Sequence, residues 1–155
     1  MSATMVKALM LGRGYMTSHT NGLTEEQLLT VPDALENNIL WNLGHLYHSH
    51  CGMLYPHCGL DSPVPAEYAD LFKGGTKPAD WAETPPVDEV LANFNGVIDQ
   101  IVADYKAGKF ADYKAHELAP GMSLDNAEDA IGFMIIHEGV HHGNIITMRR
   151  LLGIS

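Results

Sequence analysis

Positive charge is scarce in this chain. Nine Lys and Arg stand against nineteen Asp and Glu, for a formal net charge of -10 at pH 7. Such a surface repels a phosphate backbone and an anionic bilayer, so neither nucleic acid nor membrane is expected as the main partner. Arg149 and Arg150 make only a local basic spot. Long apolar runs are missing, since none approaches the ~20 residues that cross a bilayer. The opening MSATMVKALMLGRGY has one lysine and a short apolar patch without a small-residue cleavage site, so no signal peptide is expected. Cysteine is nearly absent. Cys51 and Cys58 fit neither a redox CxxC, nor a zinc ribbon, nor a disulfide framework, and a reducing, cytoplasmic setting is expected. Period-two alternation is almost missing, which argues against a sheet. No nucleophile, paired carboxylates or cofactor-cradling loop stands out, so no catalytic residue is assigned.

What is present is helical patterning. With 155 residues, 46% hydrophobic and 18% charged, the chain suits one folded domain spanning 1–155. A first helix is expected from about Ser2 to His19, stopped by Asn21-Gly22. A short one follows at TEEQLL, with Thr24 and Gln27 at capping-box spacing. Pro32-Asp33 opens a second long helix through ENNILWNLGHLYHSHCGMLY to about Pro56. Residues 57–86 are rich in Pro and Gly, with room for one short helix around Ala66–Phe72. Pro85-Pro86 starts a third long helix, with Gly108 just past its end. A break at Gly121 and Ser123 precedes the last helix, with Ser123 as N-cap and an end near Leu152. Four long helices with a long irregular connection between the second and third predict an all-α four-helix bundle.

Histidine carries the chemistry. His137 and His141 lie four apart in HEGVHHGNI, about 6 Å and roughly 40° along a helix, so both project from one face. That face continues through Ala130, Met134, Ile145, Met148 and Leu152, the positions of core residues. Two polar rings turned into a core need partners, and a shared ion supplies one. In the second long helix His45 and His48 share a face with Trp41 and Gly52, whereas His50 falls about 140° around from His45. Gly44 would permit close helix approach, access for a small molecule, or simple packing. One histidine from this helix and two from the last make a three-nitrogen site with open positions. His142 is expected at the surface, and His19, His57 and His116 have no local partners. HEGVH also spells HExxH, but no third zincin ligand follows, only 14 residues remain and the expected sheet is missing.

The order GLTEEQL, NNILWNLGHL and HEGVHHGNI resembles the DinB-like superfamily of metal-binding four-helix bundles. In that family a WxxGHL-like stretch supplies one histidine and an HExxHHxGQ-like stretch two. The resemblance therefore implies His45, His137 and His141 as metal ligands, the set that the helix faces select. Departures lie after the last ligand, where His142-Gly143-Asn144 replaces the family's usual Arg-Gly-Gln, and at Val140, where the family's common first histidine is missing. Asn144, His48 and Trp41 are candidates for the support or the substrate side. Imidazole donors favour a divalent first-row transition ion such as Zn, Ni or Fe over Mg or Ca. Family activities imply a metal-dependent S-transferase using a low-molecular-weight thiol, its electrophile held under the 57–86 connection. The alternatives are a non-catalytic metal- or small-ligand-binding stress-response protein, and a metal-dependent hydrolase with His48 or Glu138 as base. Mid-helix Gly139 and Gly143, with eight methionines, suggest close helix packing and a homodimer.

Overall fold

Four of the helices start where a side chain caps them. The structure is a computed structural model that describes residues 1–154. Helix α1 (Ala3–Thr20) begins on the Ser2 hydroxyl, which accepts from the Met5 amide. Helix α2 (Glu25–Leu29) carries the expected capping box between Thr24 and Gln27. Helix α3 spans Ile39–Leu54, α4 Tyr68–Phe72 and α5 Val87–Lys106. A small antiparallel hairpin, β1 (His116–Ala119) and β2 (Met122–Leu124), leads into α6 (Ala127–Leu151). The chain is thus all-α apart from that hairpin. No helix among the described residues is long and apolar enough to cross a membrane.

Two helix starts differ from expectation. Helix α3 begins at Ile39, not near Asp33, because Pro32–Leu35 closes a turn and Asn38 is the cap. The Asn38 carbonyl oxygen Oδ1 accepts from the Trp41 amide at 2.7 Å, while its side-chain amide donates to Leu29 O. Helix α6 is capped by Asn126, not Ser123. Ser123 instead pairs with Glu117 across the hairpin, and Gly121 turns it with φ 77°. Strands of three and four residues are too short to show alternation in sequence. The end of α5 does follow expectation, with Gly108 left-handed at φ 76°.

Helices α3, α5 and α6 close on one core, which α1 completes by packing on α5 and α6. Leu9 and Met16 of α1, Leu40, Leu43 and Leu46 of α3, Phe94 and Ile101 of α5, and Ile131, Met134 and Ile145 of α6 are fully buried. Each such side chain contributes roughly 1.5–3 kcal/mol of hydrophobic stabilisation. Helices α1 and α6 run in the same direction, since Met1 meets Glu128 at one end and His19 meets His142 at the other.

The connection 57–86 folds back on α3 through α4. At Gly44 a Cβ would lie 2.5–2.7 Å from the Phe72 ring, so glycine is what lets α4 approach. Packing, rather than room for a small molecule, accounts for that residue. Gly139 and Gly143 meet no neighbour within 4 Å and lie exposed, so they do not serve packing between helices of this chain.

Candidate metal centre

His45 on α3 and His137 and His141 on α6 converge, with one nitrogen of each within 4.8 Å of the others. These three form the only group of three or more His, Cys, Asp or Glu residues so placed among the described residues. Acceptors on the outer side fix two of the rings. His45 Nδ1 lies 2.7 Å from the carbonyl oxygen of Phe72, which can only accept, so Nδ1 carries the proton and Nε2 the lone pair. His141 Nδ1 lies 2.7 Å from Asn42 Oδ1, and the Asn42 amide is itself oriented by donating to Asn38 O at 2.8 Å. His141 therefore also turns an unprotonated Nε2 inward, where it accepts from His137 Nε2–H.

His137 Nε2 stands 3.0 Å from His141 Nε2. Two nitrogens ligating one tetrahedral ion at ordinary bond lengths are ~3.3 Å apart, so little movement is needed. His137 Nδ1 is buried without a hydrogen-bond partner. Burial also sets the protonation state. Desolvation, reinforced by the neighbouring imidazoles, pushes His137 down to about 4 and His141 to about 3. It lowers His45 as well, against the opposing hydrogen bond to Phe72. At neutral pH the site is a set of uncharged imidazoles, the form that ligates a metal.

Trp41 lies flat on His45, ring centres 4.7 Å apart and planes 10° from parallel, and its Nε1–H donates to Thr76 Oγ1 at 3.0 Å. The 57–86 connection thus braces the site twice, through Phe72 O on His45 and through Thr76 on Trp41. His48 is half-buried, and its Nδ1 has no hydrogen bond. Asn144 is exposed and lines a cleft of about 170 Å³ that Asn42 also lines.

Several residues take parts that their spacing did not show. His50 does leave the His45 face, but α3 is buried nearly all round, and His50 is fully buried with neither ring nitrogen hydrogen-bonded. Its ring centre is 5.8 Å from that of His137, and its Nδ1 is 3.7 Å from Glu138 Oε1. Glu138 turns away from the triad to pair with Arg13, whose Nε donates to it at 3.1 Å and whose guanidinium also bonds Phe94 O. Ser49, one turn beyond His45, places its hydroxyl 3.2 Å from His45 Nε2. The spacing His45–Ser49 was the available signal. The remaining histidines do find partners, in sequence-distant elements. His57 and His116 stack at 3.6 Å, and His142 Nε2 lies 3.1 Å from His19 Nδ1, leaving His142 only half-exposed.

A family model described as the DinB superfamily matches residues 8–145. The chain belongs to the DinB superfamily. That superfamily is metal-binding, in keeping with a histidine cluster able to hold an ion. No curated protein matches the chain.

Proposed function

We propose that this DinB-superfamily protein is a single-domain four-helix bundle over 1–155, built from α1, α3, α5 and α6, that holds one divalent first-row ion on His45, His137 and His141. The observation that carries this reading is the pair of outer hydrogen bonds, His45 Nδ1–H to Phe72 O and His141 Nδ1–H to Asn42 Oδ1, which commit two Nε2 lone pairs to one point. Zn, Ni and Fe all suit three imidazoles. When bound, such an ion supplies Lewis acidity that lowers the pKa of a thiol or a water. Three protein ligands leave positions for an exogenous group, as in catalytic rather than structural sites. With the family resemblance, this supports metal-dependent S-transfer from a low-molecular-weight thiol in a cytoplasmic protein. In that reaction His45, His137 and His141 bind, Trp41 walls the site beside His45, and the 57–86 connection screens it.

A non-catalytic metal- or ligand-binding role is the second reading. One observation favours it: Glu138, the carboxylate next to His137 in sequence, is committed to Arg13 and offers no general base. The same fact weakens the hydrolase reading. A homodimer would place Leu11 and Tyr15 of α1 and Ile136 and Val140 of α6, all exposed, against a second copy.

Metal content by mass spectrometry on tag-free protein tests the site. One ion per chain, lost in His45→Ala and His141→Ala, is the expected result. Wild-type protein that cannot be loaded with Zn or Ni removes the metal reading. Turnover of an electrophile with a thiol, abolished by His141→Ala, selects the transferase, and thiol binding without turnover selects the binding protein.

A further inference from the structure

The Ser49 hydroxyl is oriented unlike other helical hydroxyls of this chain. Thr20 donates to Met16 O at 3.2 Å, Thr147 to Gly143 O at 2.9 Å and Ser18 to Tyr15 O at 2.7 Å, each a carbonyl three or four residues back. Ser49 instead sits 3.2 Å from His45 Nε2. Because His45 Nδ1 carries the proton, Nε2 can only accept, and Ser49 must donate. This lone pair is the one that an ion would take, and an sp² nitrogen has only one.

We infer that Ser49 is the ligand-facing hydroxyl of the metal centre: it holds His45 Nε2 when no ion is bound and, once displaced, donates its hydrogen bond to an anionic exogenous donor in the open position. The inference rests on the three-histidine reading above. The hydroxyl already lies beside the lone pair in question, and the Phe72 carbonyl prevents the His45 ring from flipping away. A displaced donor in this half-buried place can turn to an acceptor that arrives beside it. The class of ligand that satisfies it carries a lone pair and negative charge at the metal-binding atom, as a thiolate does. The hydroxyl thus gives the site a preference for anionic over neutral donors.

The test uses full-length protein loaded with Co(II), with azide as the probe anion, and compares wild type, Ser49→Ala and Ser49→Thr. Expected is one Co(II) per chain in all three. Ser49→Ala should bind it about two- to tenfold more tightly, because no hydrogen bond must break. Azide, followed by the change in the visible Co(II) bands, should bind Ser49→Ala about ten- to a hundredfold more weakly, and Ser49→Thr should restore wild-type affinity. Opposite changes for metal and anion are not what a loosened helix produces. Equal azide affinity in wild type and Ser49→Ala overturns the inference while leaving the metal site standing. Loss of Co(II) from Ser49→Ala also overturns it, by making the residue a ligand. Wild type that takes up no Co(II), or takes it up undisturbed by His141→Ala, removes the three-histidine reading and this one with it.

Discussion

His137 and Glu138 are neighbours in sequence and belong to two different buried polar centres. On the His137 side, three neutral imidazoles gather with nitrogens turned toward one another, met only by the His137–His141 hydrogen bond and the Ser49 hydroxyl on His45. On the Glu138 side the chain completes itself. Arg13 and Glu138 are 6% and 2% exposed, Arg13 also bonds Phe94 O, and its guanidinium lies 3.7 Å over the Phe94 ring. One centre is closed by opposite charge and hydrogen bonds, the other only by weaker hydrogen bonds between neutral groups that an ion could replace. Buried polarity alone therefore does not mark a functional site. Imidazoles held in place from behind and converging on one point are the feature that sets the first centre apart, and the letters HExxH, shared between the two centres, hide the division.

Acid should separate the centres most, because it acts on several imidazoles at once. Burial holds His137 near 4 and His141 near 3, lowers His45, and drives the fully buried His50 well below its ordinary value. In the unfolded chain they titrate at about 6.5. Between these limits the unfolded state binds more protons, so stability rises with pH and is lost as pH falls from about 6.5 toward about 3. Thermal unfolding of metal-free protein should show this slope, and saturating Zn should offset it near pH 6.5, where binding to the folded state still competes with protons. A melting temperature that stays flat from pH 7.5 to 5 would contradict the neutral triad.

Next in size is the closed centre. Glu138→Gln leaves the Arg13 charge buried without its partner, which costs about 3–5 kcal/mol. At roughly 2–4 °C per kcal/mol for a chain of this size, the melting temperature should fall by about 6–20 °C. The double change Arg13→Met with Glu138→Leu should recover much of that loss. Below its melting temperature Glu138→Gln should still bind one ion per chain. If it stays folded and binds none, the two centres are one.

What the sequence disclosed of this arrangement follows from distance along the chain. His137 and His141 are legible as one turn of a core face, and His45 through its WNLGHL setting, because residue type and spacing carry that information. The groups that aim them are not. Phe72 contributes a backbone carbonyl, which leaves no trace in residue type, from 27 positions away. Asn42 looks like any asparagine one turn before a histidine until its 99-residue link to His141 is known. Arg13 and Glu138 are 125 apart, and the His57–His116 stack joins the turn after α3 to the hairpin. Helix existence was legible for the same local reason, whereas the starts of α3 and α6 depended on which of several capping residues tertiary packing chose.

Gly44→Ala probes the brace between α4 and the open centre. A Cβ 2.5–2.7 Å from the Phe72 ring must displace it, at about 1–3 kcal/mol of stability. Moving Phe72 also moves the carbonyl that holds His45, so metal affinity should fall together with stability. Denaturant unfolding and Zn competition on the same samples check both. A stability loss with unchanged affinity would mean that His45 is held by the Trp41 stack alone.

The smallest expected effect is the most specific. Asn42→Ala removes the acceptor of the His141 Nδ1 proton and leaves every candidate ligand in place. Groups that orient a ligating histidine are typically worth ten- to a hundredfold in metal affinity, so the Zn dissociation constant should rise by that factor while saturation still reaches one ion per chain. Asn42→Asp retains an acceptor and makes it a carboxylate. Asn42 is only 1% exposed, so that charge destabilises the metal-free fold. Through His141 it faces the bound cation, so ion binding should recover part of that cost and affinity should hold or rise. The same aspartate would therefore weaken the metal-free protein and favour the loaded one. Were Asn42→Ala to bind Zn as wild type does, His141 would be positioned by packing, and the open centre would differ from the closed one only in lacking charge.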